Sequence, residues 1–234
     1  MNSIYYDALD ELSESVVRGY YSSSGEPPEL VDIEGIVTEQ YRLPIRYCSF
    51  AENDTDKIGY ISDGMTPLRI MMDRGPVSEL FPKGTIVIEK CLLEPQMSGR
   101  RRFTIAHEFS HYLDDRSLET ACFSRVFDNE RDYTANDLKE LLSAGESKID
   151  RLAAGLLMPR YILERNIKKI TGNSRIPIYG NYNLDHEDRI LAKRIANTMG
   201  VSMTALILRM RSLDLFEYRD INILIRRIMP EGST

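Results

Sequence analysis

Residues 107–111 read His-Glu-Phe-Ser-His, a HExxH sequence. In a helix of about 3.6 residues per turn, side chains four apart lie on one face, one turn apart. His107 and His111 can therefore present two imidazoles to one cation, with Glu108 beside them. Neutral imidazole binds Zn²⁺ at about 2.0–2.1 Å, and a catalytic ion keeps three protein ligands and an open position for water. Such an ion lowers the pKa of its water towards ~7, where a neighbouring carboxylate can remove the proton. Abundance does not explain the pattern: three histidines and 19 glutamates placed at random among 234 residues produce HExxH about 0.3 % of the time. Nor is it a comfortable core stripe, because a His-Glu-Ser-His face is costly to bury without polar partners.

The third ligand has to come from elsewhere in the chain. Glu146 and Asp150, again four apart, share a face of the helical pattern that runs into Leu152 and Leu156. Glu146 can ligate the ion, while Asp150 can accept a hydrogen bond from the far nitrogen of a ligating histidine and so fix its tautomer. Spacing alone leaves open a solvated acidic face beside Lys148 and Arg151. The interval between His111 and Glu146 holds 34 residues, and Glu119, Glu130 and Glu140 within it are alternative ligands.

Several elements must position these residues. Apolar residues at near-helical spacing predict an amphipathic helix over residues 3–21, broken by the Ser, Gly and Pro run of residues 22–28. A short helical pattern covers residues 30–35, and Pro44 keeps residues 40–50 extended. Short β-branched or apolar runs at residues 58–62, 68–72 and 85–89, separated by Gly and Pro, predict a small sheet. The HExxH segment reads as a helix from residue 100, with Phe103, Ile105, Ala106, Phe109 and Leu113 as its apolar face. A charged interval follows, with a helix expected around residues 137–142, then helix over residues 146–170 interrupted at Met158-Pro159. Residues 171–183, rich in Gly, Pro and Asn, read as a linker, and the last fifty residues as helical.

These motifs carry a resemblance. RRFTIAHEFSH, a Glu-x-x-x-Asp step and LAAGLLMP strongly resemble the ImmA/IrrE family of zinc metallopeptidases, whose pattern runs roughly R-x-F-T-x-A-H-E-x-x-H, then E-x-x-A-N-x-F-A-A-x-L-L-M-P. The resemblance is close over residues 86–159, and VSMTALILRMRSLDL looks like the family's V-S-x-x-A-x-x-x-R-L-x-x-L segment. Ser110 stands where the family usually has glycine, Ile149 for alanine, Asp150 for asparagine and Leu152 for phenylalanine. The resemblance implies one Zn²⁺ per chain on His107, His111 and Glu146, with Glu108 as general base. It also implies a protein substrate, a Xre-type helix-turn-helix repressor or antitoxin whose cleavage switches on a phage, mobile-element or stress operon. His₂-carboxylate sites also accept Mn²⁺ or Fe²⁺.

Composition narrows the alternatives. With 42 % hydrophobic and 28 % charged residues, the chain has a globular balance and is neither fibrous nor disordered. A net charge of −6 is the wrong sign for a dedicated nucleic-acid binder. No run approaches the ~18 apolar residues of a membrane span, and the acidic start, MNSIYYDALDELSES, is unlike a signal peptide, so a cytoplasmic protein is expected. Cys48, Cys91 and Cys122 are widely spaced and expected to be reduced and structural. His186, in an acidic helix start, reads as a surface residue rather than an oxyanion donor, and Tyr112 points about 100° away from His111.

Residues 190–213 have the rhythm of a helix-turn-helix, which makes a DNA-binding regulator the competing reading. Residues 185–234 hold eight Lys/Arg against seven Asp/Glu, too weak an excess to grip phosphates. A packing role is therefore expected, with Leu206, Met210, Leu213 and Leu215 on the apolar side and Arg209 and Arg211 facing elsewhere. A zinc-retaining sensor or binding module is a third reading. The expected fold is α+β: a zincin-like core over residues 1–172, with a small twisted sheet and an active-site HExxH helix, plus C-terminal helices over residues 173–234 packed upon it. A protein partner is expected, without direct nucleic-acid or membrane contact.

Overall fold

A computed structural model describes residues 3–23, 25, 28–52, 57–114, 122–125, 144–180 and 183–228. The chain opens with α1 (Ser3–Tyr20), then α2 (Ile33–Gly35) running on into a wide turn at Ile36–Gln40. Five strands follow: β1 (Ile45–Cys48), β2 (Lys57–Ile61), β3 (Leu68–Met72), β4 (Gly75–Glu79) and β5 (Ile86–Glu89). Beyond them come α3 (Ser98–Asp114), β6 (Cys122–Arg125), α4 (Ala144–Leu157) and α5 (Arg160–Thr171). The last quarter holds β7 (Ile176–Tyr179), α6 (His186–Met199), α7 (Met203–Ser212), β8 (Phe216–Arg219) and α8 (Ile221–Ile228). This is the expected α+β architecture.

The main sheet has the order β1-β5-β2-β6, with β1 and β5 parallel and β2 antiparallel to both of its neighbours. Its two central strands are apolar on both faces because both faces are covered. Ile61, Ile86 and Ile88 turn towards the helices, where they join the principal core. Tyr60 and Val87 turn the other way and pack with Leu68, Ile70 and Phe81. The β3-β4 hairpin thus closes the far face of the sheet, leaving the near face to α3. The principal core draws on residues either side of position 172, including Phe109, Leu156, Ile178, Met199, Leu206 and Phe216.

Observed strands β2, β3 and β5 fall within a residue of those expected. Four short strands depart from the reading. β4 begins at Gly75-Pro76, which read as breakers, but among the described residues it pairs only with β3, and an edge strand tolerates a residue without an N–H. β6 lies in the interval expected to be merely charged. β7 occupies the supposed linker and pairs in parallel with β8, which lies in a stretch expected to be helical. β6, β7 and β8 have only four residues each, too few to show alternation where no run of β-branched residues marks them. The helix expected at residues 137–142 lies outside the described residues. Among the described residues, no helix is long and apolar enough to cross a membrane. Cys48 is half-buried and Cys91 exposed, both as free thiols.

Candidate metal centre

Two helices build the site, each oriented by its apolar stripe. On α3, Ile105, Ala106, Phe109 and Leu113 are buried under the sheet, and Tyr41 packs edge-on against Phe109 with ring centroids 4.8 Å apart. Ser110 is buried as well, its hydroxyl donating to the Ala106 carbonyl at 2.7 Å, so this departure from glycine leaves no polar group stranded. That packing directs His107 and His111 to the flank of the helix that meets α4. On α4, Ile149, Leu152, Ala153, Leu156 and Leu157 are buried. This is the i, i+3, i+4, i+7, i+8 stripe of an amphipathic helix, and it leaves Glu146 and Asp150 along the edge facing α3. Lys148 pairs with Asp114, tying α4 to the end of α3.

The side chains converge. His107 Nε2 lies 3.2 Å from His111 Nε2, and Glu146 Oε2 lies 3.2 Å from the first and 3.8 Å from the second. Two nitrogens bound at about 2.0–2.1 Å to one tetrahedral ion stand about 3.3 Å apart, so the spacing suits a shared divalent cation. The set of two imidazole nitrogens and a carboxylate oxygen is a borderline donor set of the kind Zn²⁺ accepts. Among the described residues, His107, His111 and Glu146 form the one such cluster of three. Glu119, Glu130 and Glu140 lie outside the described residues.

The far nitrogen of His107, Nδ1, is 2.9 Å from Asp150 Oδ1. A carboxylate can only accept, so Nδ1 carries the hydrogen, and in the neutral, metal-binding form of the ring the Nε2 lone pair faces Glu146 and His111. Burial alone would lower the basicity of His107, but in the metal-free protein the protonated ring donates to Asp150 from Nδ1 and to Glu146 from Nε2, and these bonds with the nearby Glu108 charge hold it above the ordinary imidazole range. His111 is driven the other way, by burial and by the charge on His107. Two imidazoles this close do not both become cations, and a divalent metal ion satisfies the lone pairs of both neutral rings at once. Glu108 is wholly buried on α3 beside them, and its charge also helps burial to raise the Tyr60 phenol on β2.

The remaining residues have other places. Tyr112 stacks on Phe109 with centroids 6.2 Å apart, and His186 is the first residue of α6, its N–H capped by Asp185. Leu206 and Met210 on α7, and Leu213 and Leu215 just beyond it, are buried as expected. Arg209 is not: expected to face away from the core, it is 2 % exposed and its guanidinium reaches Asp10 of α1 at 2.6 Å. A helix stripe read from apolar residues alone cannot register a buried cation that has a partner. Neither Asp10 nor this pair has a signature in the local sequence.

A family model described as the IrrE N-terminal-like domain, of the M78 peptidases, matches residues 38–211. The match takes in β1 to α7 and leaves α1 and α8 outside. No curated protein matches the chain.

Proposed function

The chain belongs to the peptidase M78 family of metallopeptidases, and on that premise we propose a zinc-dependent endopeptidase with its metal on His107, His111 and Glu146. One observation carries this reading: two imidazole nitrogens and a carboxylate oxygen from two helices meet within 4.8 Å of one another. Lewis acidity is the chemistry that a bound Zn²⁺ supplies, polarising a peptide carbonyl and acidifying water. Glu108 is the general base. It adjoins His107, is buried under the same surface, and is not part of the converging donor set. It takes a proton from the attacking water and gives it to the departing amine, so that the proton balance closes within one carboxyl group. Asp150 holds His107 with the correct nitrogen turned inward.

The proposed substrate is a Xre-type helix-turn-helix repressor or antitoxin, and its cleavage would derepress a phage, mobile-element or stress operon. Support for this substrate class is the family resemblance alone. Against a DNA-reading tail stands Arg209, whose charge is committed to Asp10 inside the protein and is withheld from phosphate.

The test is incubation of the zinc-loaded protein with candidate Xre-type helix-turn-helix repressors, the products being identified by mass spectrometry. A discrete cut is expected, slowed about 10²–10⁴-fold in Glu108→Ala while that variant keeps its zinc. Undiminished cleavage by the variant rejects the mechanism. Zinc retention without cleavage by the wild type would favour the sensor reading.

A further inference from the structure

The helix that carries Glu146 and Asp150 is gripped from behind by a residue outside the family match. Asp10 of α1 receives two arginines, Arg151 Nη2 at 2.7 Å on Oδ2 and Arg209 Nη1 at 2.6 Å on Oδ1. Arg151 follows Asp150 directly on α4. Arg209, on α7, also donates from Nε to the Met158 carbonyl at 3.1 Å, one residue past the end of α4. Its side chain is 1 % exposed, so this cation has left water and depends on Asp10 for compensation.

The contacts beside Asp10 reinforce the same grip. Ser13 donates to the Asp10 carbonyl at 2.8 Å. A Cβ at position 155 would lie 2.3 Å from Ser13 Oγ, so Gly155 is what lets α1 approach α4. One turn further along α1, Glu14 accepts the Arg160 N–H at 3.1 Å, and Arg18 lies 3.7 Å over the Tyr161 ring.

We infer that Asp10 is a positioning residue for the metal centre: by holding Arg151 and Arg209 on one carboxylate it locks the rotation that the apolar stripe of α4 selects, and so seats Glu146 and Asp150 against His107 and His111. The inference rests on the metal-site reading above. Its physical basis is the rigidity of a helix, in which Asp150 and Arg151 are about 100° apart around the axis and turn together. A rotation that carried Arg151 off Asp10 would carry Asp150 off His107 by the same angle, and a hydrogen bond at 2.9 Å weakens steeply once it lengthens or bends. The Glu146 and Asp150 side chains add little to that lock themselves, being 36 % and 54 % exposed. A neutral side chain at position 10 offers no charge to share between two guanidinium groups.

The test uses the full chain and two variants, Asp10→Asn and Arg151→Met, with Ile178→Ala on distant β7 as a destabilised control. Zinc affinity is measured by competition with a chromophoric chelator. The His107 Nδ1–H resonance is followed separately by NMR of the metal-free protein. Both variants are expected to lose about tenfold in zinc affinity and to shift that resonance upfield, while the control, at a comparable melting temperature, keeps both. Wild-type values in the two variants, or equal losses in the control, would overturn the assignment. Should Asp10→Asn not fold, Arg151→Met decides alone, since it leaves the Asp10-Arg209 pair in place. Failure of the wild type to bind zinc would count against the metal site itself, and the metal-free NMR comparison would still decide what Asp10 does.

Discussion

Helices α3 and α4 contribute to one site on opposite terms. The imidazoles of α3 have side chains 9 % and 11 % exposed, whereas the Glu146 carboxylate of α4 is 36 % exposed. The histidines are held by the packing of their own helix, with Ile105, Ala106 and Phe109 fully buried beneath them. The carboxylates hang from the open edge of a helix whose other side is fastened to α1 and to the core. A site of this kind is half pre-formed: the deeply packed imidazoles are costly to move, and the carboxylate edge is open to water.

That contrast can be broken most severely at the buried ligands. His107→Ala is expected to abolish zinc binding, measured as metal equivalents per chain after identical purification, because it removes a nitrogen donor from a buried position that bulk solvent reaches poorly. Glu146→Ala is expected to keep residual zinc, since solvent at this exposed position can supply an oxygen. Its affinity still falls by more than the roughly 10–100-fold that loss of an outer hydrogen-bond partner costs. Equal losses in the two variants would erase the distinction between the helices.

Smaller effects sharpen it. Asp150→Ala, which removes the partner of His107 Nδ1 and leaves all three ligands, is expected to weaken zinc about 10–100-fold with little change in urea midpoint. Gly155→Ala ordinarily stabilises a helix by about 0.5–1 kcal/mol. Here the added Cβ would meet Ser13 Oγ at 2.3 Å, and a loss of about 1–3 kcal/mol is expected instead, read from denaturant unfolding. Leu208→Ala, on the exposed side of α7 at 60 % exposure, should change stability by no more than about 0.5 kcal/mol. A large loss there would mean that this face is covered in solution.

Much of this was legible residue by residue. The spacing of His107 and His111, the paired acids Glu146 and Asp150, the apolar stripes of α3 and α4, and the break at Met158-Pro159 are all properties of one element at a time. Side chains three or four apart on a helix share a face whatever the rest of the chain does, so periodicity reveals each face before any fold is known. Strands β4, β6, β7 and β8 escaped because each is defined by a partner rather than by a pattern.

What periodicity cannot reveal is which face meets which. Glu146 was the expected third ligand from its Glu-x-x-x-Asp step and the resemblance, and it is the packing of α4 against α3 that brings it to the imidazoles. His107 and Asp150 are 43 residues apart in the chain, and Asp10 and Arg209 are 199 apart. Arg209 looked like a surface cation because nothing within a turn of it announces a carboxylate. The sequence by itself determined the chemistry on offer, because residue type and local spacing are sufficient for that. Only the tertiary structure decided which of these groups converge, because desolvation and distance are properties of neighbours in space, and those neighbours come from distant parts of the chain.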